Sequence, residues 1–89
     1  MAISSSQIKK IITLAKEYGA TRLILFGSAV DMPTKPRDID LACDGVPGWK
    51  LYEMAARIED ELRISIDILP LSPQSRFTRY IEARGKVLL

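Results

Sequence analysis

Histidine is absent from these 89 residues. That gap removes Ser-His-Asp and Cys-His nucleophilic catalysis, imidazole general bases and most zinc sites. A metal ion here would need oxygen ligands, which favours magnesium, manganese or calcium. There is one cysteine, Cys43, inside an apolar run. It reads as a buried reduced thiol, and no disulfide can form within one chain. No stretch approaches the ~20 apolar residues of a membrane span. The opening MAISSSQIKK has no apolar segment of signal-peptide length, so a soluble cytoplasmic protein is expected. The net charge of +2 is too small to argue for a nucleic-acid or membrane partner, and direct nucleic-acid binding is not expected.

What remains is ordinary globular composition, 47% apolar and 27% charged. A chain of this size buries roughly two thirds of its unfolded surface, which allows one modest core. We therefore read residues 1–89 as a single domain. SSSQIKKIITLAKEYG predicts a first helix, with Ser4 and Gln7 at capping-box spacing and Gly19 as the stop. Ile8, Ile11, Ile12 and Ala15 form its apolar face. TRLILF is too short for a helix and reads as a strand buried on both faces. AVDMPTKPR, with two prolines, is a loop. DIDLAC reads as a second strand and DGVPG as a turn.

WKLYEMAARIEDELR predicts a second helix, with Leu51, Ala55, Ile58 and Leu62 along its inner stripe. ISIDIL is a third strand. SPQSRFTRYIEARG predicts a third helix with Ser72 as N-cap, Pro73 at the first helical position and Gly85 as stop. KVLL adds a last short strand. The order α-β-β-α-β-α-β predicts an α/β (α+β) domain, with helices packed on a small mixed sheet.

Three aspartates fall inside predicted strands: Asp38, Asp40 and Asp67. Burying a carboxylate is costly unless it is paired or bound to metal. The period of two places Asp38 and Asp40 on one strand face, about 7 Å apart. If the third strand lies beside the second, Asp67 completes a cluster. Three such carboxylates can hold two divalent ions about 3.5–4 Å apart, a geometry suited to in-line transfer at phosphorus. Gly27 and Ser28 fit the same chemistry. A glycine at a strand end lets backbone approach a phosphate, and a serine there offers a hydroxyl and an N–H to it. A lone Gly-Ser pair is most often plain turn chemistry. The joint pattern of strand, Gly-Ser, Asp-x-Asp strand, helix and Asp strand is far more specific.

LFGSAVDMPTKPRDIDLACD together with ISIDIL resembles the minimal nucleotidyltransferases of the DNA polymerase beta superfamily. The resemblance covers nearly the whole chain. It implies the nucleotidyltransferase fold, with Asp38 and Asp40 binding two magnesium ions (or manganese) and Asp67 binding the catalytic one. Gly27 and Ser28 would bind the nucleotide. It implies transfer of a nucleoside monophosphate, AMP from ATP, to a hydroxyl with release of pyrophosphate. It further implies a HEPN-domain partner. Members of this size serve as antitoxins of HEPN ribonucleases, either attaching AMP to a partner tyrosine or binding the partner.

One segment departs from the family pattern. Where relatives carry basic residues after Gly-Ser, Ala29 and Asp31 stand here. Arginine beside a triphosphate makes a charge-assisted contact, and an aspartate repels the nucleotide. Lys35 or Arg37 could compensate from the loop.

Two readings follow: an active transferase modifying its partner, or a catalytically weak module that neutralises the partner by contact. A third, transfer to a small-molecule acceptor, would need a substrate domain, for which the chain has no room. A small sheet domain with an open edge also gains by association, so a homo-oligomer is compatible with the sequence.

Other polar residues read more plainly. Asp31 and Asp44 are loop and turn residues, Glu59 to Glu61 a solvated helix end, and Arg76, Arg79 and Arg84 a solvated face. Trp49 is expected to staple the second helix to the sheet. Tyr52, Phe77 and Tyr80 are expected in core or half-buried positions.

Overall fold

A computed structural model describes residues 3–27 and 38–89. Helix α1 spans Ser5–Glu17. Its start is the capping box read from the sequence. The Gln7 N–H donates to Ser4 Oγ at 3.1 Å, and the Ser4 N–H donates to Gln7 Oε1 at 2.9 Å. Two of the otherwise unpaired donors of the first turn are thereby satisfied. The chain leaves the helix through Tyr18 and turns at Gly19, whose φ of +94° favours glycine.

Strand β1 is Arg22–Phe26 and β2 is Ile39–Asp44. They pair antiparallel, with Phe26 opposite Asp40 and Arg22 opposite Asp44. Helix α2, Gly48–Leu62, then carries the chain back, so that β3, Ile66–Pro70, lies parallel to β2. A parallel neighbour requires such a crossover. Helix α3 is Arg76–Arg84, and β4 is the pair Lys86–Val87 on the far side of β1. The sheet order is β3-β2-β1-β4, a four-stranded mixed sheet, as the element order predicts.

Strand alternation divides the side chains into two cores. Leu23, Leu25, Ile39, Leu41, Cys43 and Ile66 pack beneath α1 and α2, against Ile11, Leu14, Met54 and Ile58. The other face carries a smaller cluster of Ile24, Ala42, Leu71 and Ile81 beneath α3. β1 is therefore buried on both faces, as its continuous apolar run predicts. Asp40 alternates with Ile39 and Leu41, which places it on the smaller-core face.

Three boundaries move. β3 begins at Ile66 rather than Ile64, because Arg63 caps α2 in a left-handed conformation (φ 59°) and a connector follows. β2 begins at Ile39, leaving Asp38 just ahead of the strand. α3 begins at Arg76 rather than Pro73, with Ser75 and not Ser72 as N-cap. Ser75 and Thr78 satisfy each other's backbone N–H groups at 2.7 and 3.1 Å, while the Ser72 hydroxyl donates to Asp44 Oδ1 at 2.8 Å. Ser72 is thus committed to the turn after β2.

The aromatic residues also depart from expectation. Trp49 is 76% exposed and does not staple α2 to the sheet, while Tyr52 is 74% exposed. On α2 the inward positions are Leu51, Met54, Ala55 and Ile58, and helical phase turns Trp49 and Tyr52 outward. Phe77 and Tyr80 are exposed for the same reason, because Thr78 and Ile81 are the buried positions of α3. Among the described residues no helix is long and apolar enough to cross a membrane.

Candidate active site

The parallel register of β2 and β3 sets Asp40 directly opposite Asp67. Neighbouring strands lie roughly 4.8 Å apart, so the two side chains rise side by side from one sheet face. Two carboxylates in that position repel. Burial, then the charge of Asp67, then that of Asp38, push the Asp40 carboxyl above its ordinary value. No ion pair among the described residues reaches any of the three aspartates. Arg22 pairs instead with Asp44 and Glu82, and Lys10 and Arg57 pair with Glu61.

Gly27 closes the site from the end of β1. Its φ is +74°, a conformation that side chains with a Cβ disfavour. A Cβ on Gly27 would overlap the Asp40 carboxylate oxygen. The backbone leaving β1 therefore lies directly against the central carboxylate, and glycine is needed both for the turn and for the approach. Ser28, the other predicted nucleotide contact, lies outside the described residues, as do Ala29, Asp31, Lys35 and Arg37.

A concavity of about 380 Å³ opens beside the carboxylate pair. Phe26, Asp40, Tyr52, Asp67, Leu69 and Phe77 are among its walls. Phe26 and Phe77 meet edge to face, with ring centroids 6.0 Å apart. Asp38 does not line this space, although it is near enough for its charge to act on Asp40. Among the described residues no group of three His, Cys, Asp or Glu side chains forms a ready cage for a metal ion. The Asp40–Asp67 pair is the tightly placed part of the site, and Asp38 flanks it. An all-oxygen donor pair with uncompensated like charge fits a hard divalent cation.

Sequence reasoning placed the carboxylates but missed the walls of the concavity. Phe26 is recognisable in hindsight as the residue before Gly27 and opposite Asp40. Tyr52 is recognisable from helical phase once Leu51 is known to face inward. Cys43 is a buried thiol as read, pushed up to about 11 by burial and by the neighbouring Asp44. Asp44 accepts from Ser72 and pairs with Arg22, but as the last residue of β2 rather than the turn residue expected.

No protein-family model and no curated protein matches this sequence. Solved structures do. A toxin–antitoxin complex with AMP-PNP contains a chain with TM-score 0.77 and 26% identity, over 92% of this chain and 72% of that one. A complex of tri-AMPylated Shewanella oneidensis HEPN toxin with MNT antitoxin contains one with TM-score 0.74 and 23% identity, over 94% and 70%. A third structure, assigned as a minimal nucleotidyltransferase, gives TM-score 0.76 at 20% identity, over 96% of this chain and 94% of that one. The fold is therefore that of the minimal nucleotidyltransferases. Fold likeness and sequence resemblance therefore agree on that fold.

Proposed function

We propose that this chain is a metal-dependent nucleotidyltransferase that transfers AMP from ATP to a hydroxyl of a HEPN-domain partner, and so acts as that partner's antitoxin. The observation that carries the reading is the Asp40–Asp67 register pair with Gly27 packed against it. Unpaired carboxylates converging on a partly buried sheet face are costly for a fold and useful for binding a cation. Asp40 and Asp67, with Asp38 beside them, would hold magnesium, which when bound neutralises phosphate charge and lowers the pKa of a coordinated hydroxyl.

The chain's own residues have separable tasks in this reading. Gly27 lets the backbone reach the phosphates without a side chain between them and Asp40. Ser28 offers a hydroxyl and an N–H to the same phosphates. In the transfer, the acceptor oxygen forms a bond to the α-phosphorus and the bond from that phosphorus to the bridging oxygen breaks. Pyrophosphate leaves, and the acceptor's proton passes to a carboxylate or to water. The AMP-modified toxin in one structural neighbour lends support by fold likeness.

A second reading has its own support. Ala29 and Asp31 replace basic residues of the family pattern, and the described residues form no three-ligand cage. On that reading the chain neutralises its partner by contact. The discriminating experiment is co-expression with a HEPN partner, followed by intact-mass measurement of that partner. The transferase reading predicts added AMP that is lost with Asp40→Asn. An unmodified partner that is nevertheless bound and inactive would favour the contact reading.

A further inference from the structure

The outward face of α3 concentrates charge of one sign. Thr78 and Ile81 turn inward, so Arg76, Arg79, Tyr80, Ala83 and Arg84 form the opposite face at helical spacing. Phe77 stands at its edge, and Phe77 and Tyr80 are each 54% exposed. No carboxylate lies on that face. Glu82, on the flank, already accepts from Arg22 at 3.1 Å and from Gln74 at 3.4 Å. The charge of Arg79 acts on Glu82, but Arg79 is not within ion-pair distance of it. Among the described residues no ion pair reaches Arg76 or Arg84. The Arg84 guanidinium lies over the Tyr80 ring, 5.2 Å from its centroid. α2 provides the contrast. Its exposed side also carries an aromatic ring, Tyr52, but Glu53, Arg57 and Asp60 mix the signs around it. The chain's net charge of +2 averages over this difference between the two helices.

We infer that the outward face of α3 binds a single-stranded polynucleotide, independently of the transferase chemistry. Charge complementarity names an anionic partner. The rings decide its kind. An interface for a folded protein has a desolvated, charge-poor centre, with its polar groups at the rim. Here guanidinium groups and rings alternate along the face, and its only aliphatic side chain is Ala83. Such a surface accepts phosphates and unstacked bases together. The bases must be unstacked, because a duplex offers phosphates and base edges but no ring faces to stack on. Helical rise separates Arg76 from Arg84 by roughly 12 Å, a length over which a strand presents more than one phosphate. The arginines are taken up by those phosphates. Apart from the Tyr80 hydroxyl, no other side-chain donor or acceptor is left on the face to read base edges or sugar. Binding is therefore tolerant of base sequence and of ribose against deoxyribose.

The test is fluorescence anisotropy of labelled oligothymidylate and oligouridylate of ~12 nucleotides, titrated with the whole chain in EDTA. EDTA keeps magnesium from Asp40 and Asp67, so a metal-bridged contact at the carboxylate pair cannot contribute. Both strands should bind with dissociation constants of about 1–100 µM, the range of sequence-independent contacts. Three arginines at ~0.7 each predict a slope of about −2 for log affinity against log salt. Arg76→Gln, Arg79→Gln and Arg84→Gln should each reduce that slope by about 0.7. Tyr80→Ala should weaken binding about tenfold, the loss of one stacked base, and leave the slope unchanged. Tyr80→Phe, which keeps the ring, should hold. Phe77 also walls the concavity, so the variants leave it alone. All four substituted positions are exposed, and thermal melts check that each variant is folded. A duplex of the same length should bind more weakly. A polyglutamate of matched charge that binds as tightly as the oligonucleotides would assign the face to an acidic protein and overturn the proposal. Equal binding of the duplex, full binding by the variant carrying all three arginine substitutions, or no binding tighter than millimolar at low salt would overturn it as well. None of these outcomes bears on ATP binding, which has its own titration.

Discussion

Asp40 and Asp67 face each other across adjacent parallel strands, and neither is paired with a cation among the described residues. The pair arises from simple alternation. Ile39 and Leu41 point into the larger core, so Asp40 must point to the opposite face. The parallel register then lines up Asp67 beside it. The hydrophobic demand of one face thus places like charges together on the other, where they are strained unless something positive joins them.

Relief of that strain is measurable without any ligand. Asp40→Asn and Asp67→Asn should leave the metal-free fold intact and raise its stability at neutral pH, by less than about 1 kcal/mol because the site is open to solvent. Thermal denaturation in EDTA reads the shift. A melting temperature that falls by several degrees in both variants would assign the aspartates to the fold instead.

Gly27→Ala should be the opposite kind of variant. It adds a Cβ at a φ of +74° and drives it into the Asp40 carboxylate. The backbone penalty is about 1–2 kcal/mol, and displacement of Asp40 adds to it. Both stability and magnesium-dependent ATP binding should fall, as checked by denaturant titration and calorimetry. Restored stability in the double variant with Asp40→Gly would confirm that the overlap is the cause.

Acid should loosen the joint between α3 and β1. A hydrogen bond from Arg22, with a second from Gln74, holds the Glu82 carboxyl below its ordinary 4.5. A depressed folded value contributes stability above the unfolded value, and that stability is lost as pH falls through the folded value. Glu82→Gln should therefore lower the neutral plateau slightly and flatten the acid limb below about pH 4.5, with the two curves converging at low pH. Denaturant midpoints measured on either side of that pH decide it.

Cys43 titrates on the alkaline side. Burial and Asp44 raise its thiol from 9.0 to about 11. Below 9.0 both folded and unfolded thiols are protonated and nothing changes with pH. Between 9.0 and about 11 the unfolded thiol ionises first, so the fold loses stability as pH rises. Cys43→Ala should remove that decline. Iodoacetamide should label the native protein at mildly alkaline pH only as fast as it unfolds.

The sequence was legible where local and global preferences agreed. The capping box at Ser4 and Gln7, the doubly buried β1 and the alternation of β2 all follow from patterns only a few residues long. Asp67 was legible as a partner of Asp40 only on the condition that β3 lay beside β2, which the α2 crossover supplies. The start of α3 was misread because two serines competed for the cap, and Ser72 had a better partner in Asp44, distant in sequence. The aromatic residues were misread because a ring suggests burial, whereas helical phase decides it. Leu51 and Met54 occupy the inward positions of α2 and leave Trp49 and Tyr52 outside. The concavity combines Phe26, Tyr52 and Phe77 from three separate elements, and no local pattern encodes that meeting.

The central claim is that the carboxylate pair binds a cation and, through it, a nucleotide. Its most direct test is calorimetric titration of ATP into this protein with magnesium, repeated in EDTA and with Asp40→Asn. The account predicts binding with magnesium that disappears in EDTA and in the variant. Binding of equal strength in all three conditions, or none with magnesium up to millimolar ATP, would contradict it.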